Sequence, residues 1–223
     1  MSIRKNLKNI LRDIPAGVRL VAVSKTIPPL IIREAYNTGH RIFGENKAQE
    51  LLAKQPVLPD DIKWHFIGHL QTNKVKQIVA FVEMIESVDR MKLLKEINKQ
   101  ALKHNRKVKC LLQFHIANEE TKFGLDISEA RQLLSSEEYS KMNNIEICGV
   151  MGMATFTDDE EVVRKEFANL SSYFGQLKSE FFTDQESFKE ISMGMTNDYL
   201  LAIEKGSTNI RIGTAIFGDR NYQ

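Results

Sequence analysis

The sequence predicts an α/β protein built as a single (β/α)8 barrel of the TIM type, with an N-terminal helix covering part of the barrel. Three observations lead there. Eight short β-like runs recur along the 223 residues, and helix-like segments lie between them. Several of the runs are continuously apolar, which suits parallel strands buried on both faces. A doubly wound open sheet is the competing arrangement, but no Gly-x-Gly-x-x-Gly follows the first strand. With no repeat, low-complexity segment or linker in view, residues 1–223 read as one domain.

The elements follow in order. Residues 2–13 mix Arg4, Lys5, Lys8, Arg12 and Asp13 with Ile3, Leu7, Ile10 and Leu11. That is an amphipathic helix and not a signal peptide, which would carry an apolar core. Strands are expected over residues 19–24, 41–44, 64–68, 84–87, 108–116, 145–151, 190–193 and 209–213. Pro28 and Pro29 suit the first turn of a helix reaching Asn37, and Gly39 suits its exit. Asp89 can cap the segment holding Met91, Leu94, Ile97, Ala101 and Leu102. Residues 158–181 place Val163, Phe167, Leu170, Phe174, Leu177 and Phe181 on one stripe at helical spacing, read as core packing. The short stretch from the eighth strand to Gln223 hardly accommodates a full closing helix, so the N-terminal helix is its natural substitute.

Composition narrows the class. Hydrophobic residues at 42% and charged residues at 27% describe a soluble globular chain. The net charge is +2 and no long basic run occurs, so a nucleic-acid partner is not expected. No apolar stretch of roughly 18 residues is present, so no membrane span is expected and the cytoplasm is the default location. Cys110 and Cys148 both sit in apolar runs and read as buried thiols. No histidine joins a cysteine at ligand spacing, so no metal site is expected.

In such a barrel, functional residues lie at the C-terminal ends of the strands, and phosphate is often held after strands seven and eight. The first strand ends in Val21-Ala22-Val23-Ser24-Lys25-Thr26. A lysine directly after apolar residues is partly desolvated, which lowers its pKa and frees its amine for a Schiff base. Taken alone, a solvated lysine at a strand end is the simpler explanation. Asn46 could bond a ligand or cap the helix over residues 47–55, and in isolation the cap is simpler. His65 alternates with Trp64 and Phe66 as an ordinary strand residue would. Ser192, Thr196 and Thr214 place hydroxyls beside helix starts, either as caps or as an anion site. Their occurrence in both of the loops that barrels use for phosphate favours the anion site. Arg211 stands in an apolar strand and needs either an ion-pair partner or a ligand.

These residues fall within motifs that span nearly the whole chain: Ala22-Val23-Ser24-Lys25-Thr26, Phe43-Gly44-Glu45-Asn46, residues 64–74 from Trp64 to Lys74, Thr121-Lys122-Phe123-Gly124, Gly149-Val150-Met151-Gly152-Met153, Ser192-Met193-Gly194-Met195, and Ile210-Arg211-Ile212-Gly213-Thr214-Ala215-Ile216-Phe217-Gly218. In them the sequence resembles the pyridoxal phosphate homeostasis protein family, fold type III barrels like the N-terminal domain of alanine racemase. The resemblance implies pyridoxal 5'-phosphate (PLP) as cofactor, with the family's Schiff-base lysine on Lys25 and its ring-contacting asparagine on Asn46. It puts the phosphate contacts on Ser192, Gly213 and Thr214, with Thr196 close by. It matches Arg211 to the arginine facing the pyridine nitrogen, which weakens the ring as an electron sink. Departures are Thr196 and Asn197, where the family commonly has serine and aspartate, and Leu200, where it has glutamate.

The implied function is storage and delivery of PLP to apo-enzymes by a monomer, with no catalytic residue assigned. The alternatives are a PLP enzyme such as an amino-acid racemase, or a barrel enzyme acting on another phosphorylated metabolite. Racemisation on this fold type needs an acid/base on each face of the ring. No tyrosine stands at any of the eight expected strand ends, Tyr199 starts a helix and Tyr222 lies in the tail.

Overall fold

The structure is a computed structural model that describes residues 2–117 and 123–218. Thr121 and Lys122 of the fourth motif, and the tail with Tyr222, lie outside the described residues. Helix α1 (Ile3–Asp13) leads into β1 (Arg19–Val23), α2 (Pro29–Tyr36), β2 (Ile42–Glu45), α3 (Ala48–Lys54), β3 (Lys63–Phe66), α4 (Val75–Ile78) and β4 (Met84–Val88). Then come α5 (Met91–Lys103), β5 (Val108–Phe114), α6 (Ile127–Leu134), α7 (Glu137–Ser140), β6 (Ile145–Gly152), α8 (Glu160–Phe181), β7 (Glu190–Ser192), α9 (Tyr199–Glu204), β8 (Asn209–Ile212) and α10 (Thr214–Phe217). The eight strands follow sequence order in one closed parallel barrel, sealed where Arg19 to Ala22 pair with Asn209 to Ile212. This is the (β/α)8 barrel the strand pattern predicts, each strand within a few residues of its expected bounds.

Most apolar burial lies outside the barrel, between strands and helices. Leu20, Phe43, Trp64, Phe66, Ile85, Leu112, Ile191 and Ile210 join one core with Leu94, Ile97, Phe167 and Leu170. Val163, Phe167, Leu170 and Leu177 of the α8 stripe are buried, and Phe174 and Phe181 pack against them. Asp159 caps that helix, accepting from the N–H groups of Glu161 and Val162.

A second, small apolar cluster joins Met84, Leu111, Cys148 and Met151. Cys148 and Met151 are three residues apart, so strict strand alternation would put them on opposite faces. The pairing register slips between Cys110–Ile147 and Leu111–Gly149, and this bulge brings both residues into one cluster. Gly149 sits at φ +153°, and a Cβ there would lie 1.8 Å from the Glu190 carbonyl oxygen, so the bulge requires glycine. Both cysteines are free and buried, and burial pushes the Cys148 thiol up to about 12.

Helix α1 takes the expected place. Ile3, Leu7 and Ile10 are buried, and the Asn6 amide donates to the Ile216 carbonyl at 2.9 Å, tying α1 to the four-residue α10. One expectation is corrected. Asp89 does not cap α5, whose N-cap is Arg90 with no side-chain cap. Its carboxylate is drawn to the Arg90 guanidinium and to the His69 ring at 3.2 Å. Among the described residues no helix is long and apolar enough to cross a membrane, and no cluster of three metal-ligating side chains occurs.

Candidate functional site

A cavity of about 670 Å³ opens at the C-terminal ends of the strands, within the range of small-molecule sites. Lys25, Asn46, Thr196, Arg211, Gly213 and Thr214 all line it. Thus residues from β1, β2, β7 and β8 and their loops, up to 189 positions apart in the chain, share one wall because the barrel closes.

Lys25 stands two residues past the end of β1, after Ser24, and is half-buried. The turn behind it is held tightly. Ser24 N–H donates to the Gly44 carbonyl at 2.9 Å, extending the β1–β2 pairing past the strand end. Thr26 takes a left-handed φ of 65°, uncommon for a threonine, while its N–H donates to Glu50 Oε2 at 2.7 Å. Beneath the turn, Lys54 Nζ donates to the Ser24 carbonyl at 2.8 Å and to Glu45 Oε1 at 2.7 Å, and Ser24 Oγ donates to the same carboxylate at 2.6 Å. Burial raises the pKa of Glu45 above the ordinary carboxylate range, against the opposing pull of Lys54 and Ser24. Burial also works to raise Glu50, but the Thr26 N–H and Lys54 prevail and hold it below that range.

Asn46 is not a helix cap. The N-cap of α3 is Lys47, with no side-chain cap bond. Asn46 instead faces the cavity, and its Oδ1 is buried without a hydrogen-bond partner among the described residues. A buried amide oxygen left unpaired costs about 1–3 kcal/mol, so it is poised for a donor from a ligand. Gly68 makes this wall possible: a Cβ there would lie 2.4 Å from the Asn46 carbonyl oxygen.

The far side of the cavity carries the hydroxyls. Thr196 lies in the turn after β7, which is pinned by the Met195 N–H donating to Asp198 Oδ1. Thr214 opens α10, whose N-cap is Gly213 with no side-chain cap. The first-turn N–H groups therefore lack a side-chain acceptor of their own and, with the two hydroxyls, suit an anion. Asn197 is exposed on the rim, and Leu200 is 59% exposed and outside the cavity wall, so the departure at 200 does not alter the wall.

Ser192, expected as a phosphate contact, lies away from the cavity wall. It is fully buried and does not line the cavity. Its Oγ donates to Glu86 Oε2 at 2.6 Å and accepts from Arg211 Nη1 at 2.6 Å. The physical reason is strand direction: Ser192 ends β7 with its side chain inside the barrel, and the chain reaches the cavity only at Met195 and Thr196, beyond the Gly194 turn. Arg211 has the partner a buried arginine needs. Its Nη2 donates to the Gly152 carbonyl at 2.9 Å and Nη1 stands 4.0 Å from Glu86. Burial lowers its pKa and Glu86 opposes that.

The cavity also includes His69, Phe123 and Met153, which lie in the quoted motifs without an assigned role, and Gln113, which lies outside them. His69 stacks on Phe123 with centroids 4.0 Å apart. Gln113 was detectable as the one polar side chain within Cys110-Leu111-Leu112-Gln113-Phe114, and its amide donates to the Phe123 carbonyl at 2.8 Å.

Comparison with known proteins adds independent findings. The family described as alanine racemase, N-terminal domain, matches residues 1–221. A pyridoxal phosphate homeostasis protein of Aquifex aeolicus is 40% identical over 206 residues, covering 92% of this chain and 88% of that one. The human protein of the same name is 40% identical over 222 residues, covering 95% and 80%. Among solved structures, PipY of Synechococcus elongatus with PLP bound superposes with a TM-score of 0.88 at 35% identity, covering 97% of this chain and all of that one.

Proposed function

We propose, from the fact that this chain belongs to the alanine racemase N-terminal-domain family and within it to the pyridoxal phosphate homeostasis proteins, that it binds PLP and serves the homeostasis of that cofactor. It holds PLP through a Schiff base on Lys25, acts as a monomer in the cytoplasm, and passes the cofactor to apo-enzymes without turning over substrates itself.

The observation that carries this is the unpartnered Asn46 Oδ1 in a cavity that also holds Lys25 and two threonine hydroxyls. These residues fit the cofactor. Lys25 supplies the amine, Asn46 offers an acceptor to the ring substituents, Thr196, Gly213 and Thr214 receive the phosphate, and Arg211 meets the ring nitrogen. When bound, PLP supplies an aldehyde for the amine and a ring that can withdraw electrons. A guanidinium at the ring nitrogen disfavours its protonation and so blunts that withdrawal, which suits storage better than catalysis.

An enzyme would need a second acid/base on the wall. No tyrosine lines the cavity among the described residues, and the titratable ring there is His69, with Nδ1 3.2 Å from Asp89. The test is to titrate purified protein with PLP by visible absorption, then incubate the loaded protein with each common L-amino acid. Saturable binding without chiral or keto-acid product above free PLP is expected. Product formation abolished by Lys25→Ala would replace the carrier with an enzyme.

A further inference from the structure

Two cavities open at opposite ends of the barrel, and one chain of hydrogen bonds runs between them. His65 on β3 places Nδ1 2.6 Å from Glu86 Oε1 on β4. Glu86 Oε2 accepts from Ser192 Oγ on β7 at 2.6 Å, and that oxygen accepts from Arg211 Nη1 on β8 at 2.6 Å. Strands β4 and β7 are not neighbours in the sheet, so the Glu86–Ser192 bond spans the barrel interior. None of the four residues is more than 4% exposed.

The donors in this chain have one direction. Burial works to raise the pKa of Glu86, but the bond and charge of His65, the charge of Arg211 and the Ser192 hydroxyl hold it below the ordinary carboxylate range. A carboxylate only accepts. His65 Nδ1 must therefore carry its proton and Ser192 must donate, which leaves the serine lone pairs for the Arg211 guanidinium. Each bond polarises the next.

The two ends face different solvent. Arg211 lines the C-terminal cavity with Lys25 and Thr214. His65 lines a separate cavity of about 290 Å³ at the N-terminal ends of the strands, beside Arg19, Lys63, Glu83 and Lys109. His65 does not line the C-terminal cavity.

We propose that His65 and Glu86 are positioning residues for Arg211: they aim its guanidinium at the cofactor ring through Ser192 and link the two mouths of the barrel. Glu86 supplies the counter-charge that keeps the buried guanidinium oriented, and His65 fixes which carboxylate oxygen turns toward Ser192. Because this rests on the PLP reading, binding itself is scored first.

The experiment follows the His65 ring N–H by nuclear magnetic resonance in 15N-labelled full-length protein, assigned by its loss in His65→Gln, while PLP is added and saturation is read from visible absorption. The His65 signal should shift in step with saturation, and Ser192→Ala should break that correspondence. Glu86→Gln and His65→Phe should each weaken PLP binding about tenfold, the size of one charged hydrogen bond, and alter the visible band. His65→Gln, which keeps a donor for Glu86, should recover most of the affinity. Failure of the wild type to bind PLP overturns the functional reading. PLP binding with an unmoved His65 signal, or a folded Glu86→Gln that binds as tightly with an unaltered band, overturns this inference alone.

Discussion

Lys54 and Glu45 form an ion pair of 2.7 Å, buried directly behind the turn that carries Lys25. The same ammonium reaches Glu50 at 3.4 Å, and Glu50 in turn holds the Thr26 N–H. A second lysine thus stands close to the site in sequence and structure, yet its amine is committed to carboxylates and a carbonyl. What distinguishes Lys25 is its place on the cavity wall, which Lys54 does not share.

The ion pair gives a pH-dependent prediction. Lys54→Met leaves the Glu45 carboxylate buried without its counter-charge, and breaking such a pair costs about 3–5 kcal/mol. Glu45 already has a folded pKa above its unfolded value of about 4.5, because burial disfavours its charge. A raised folded pKa contributes stability that is present below the unfolded value and lost as pH rises through the folded one. Removing Lys54 pushes that folded pKa higher still. The variant should therefore lose most stability at pH 7 and progressively less toward pH 4.5, as Glu45 takes up a proton. Urea denaturation of both proteins across this range checks it, and a deficit that grows as pH falls would contradict the burial of Glu45.

Covalent attachment should be specific to Lys25. Borohydride reduction of the PLP-loaded protein, followed by peptide mass spectrometry, is expected to place the pyridoxyl group there and to leave Lys54 unmodified. Lys25→Ala should lose the visible band. Modification of Lys54 instead would mean that the ion pair opens in solution and that the assignment is wrong.

Phosphate should dominate affinity. Charge-assisted hydrogen bonds to an anion are worth roughly 1.5–3 kcal/mol each, so pyridoxal should bind at least about a hundredfold more weakly than PLP. Thr196→Val and Thr214→Val should each weaken PLP about tenfold and leave pyridoxal nearly unaffected, by the same arithmetic. Equal affinities for the two vitamers in a titration would remove the phosphate from this end of the cavity.

Asn46→Ala separates ligand contact from helix capping. If Asn46 capped α3, its loss would cost about 1 kcal/mol of stability. With Lys47 at the N-cap and Asn46 Oδ1 unpaired in the cavity, apo stability should hold or rise slightly while PLP affinity falls about tenfold. Thermal melts with and without PLP give both quantities. A variant destabilised without PLP but unchanged in affinity would restore the cap.

The sequence by itself determined the barrel. Apolar runs such as Val21-Ala22-Val23 and Ile145 to Met151, alternating with the helical stripe from Val163 to Phe181, leave few ways to bury their apolar faces, and a closed parallel sheet is one of them. It also marked Lys25, Thr196, Gly213 and Thr214, because a strand end is a local feature and the barrel directs strand ends to one mouth. Tertiary structure alone decided which way the polar side chains turn. Ser192 and Thr196 are four residues apart and both bear hydroxyls, but one closes a bond across the barrel and the other faces the cavity. Asn46 offered the same side chain to a cap or to a ligand, and with Lys47 at the helix start it does not cap. Glu86 was unmarked in the chain and His65 read there as an ordinary strand residue, since the partners of this cluster arrive from strands up to 125 positions away. Burial and pairing of a polar group depend on what the other strands bring to it, and periodicity along one strand cannot encode that.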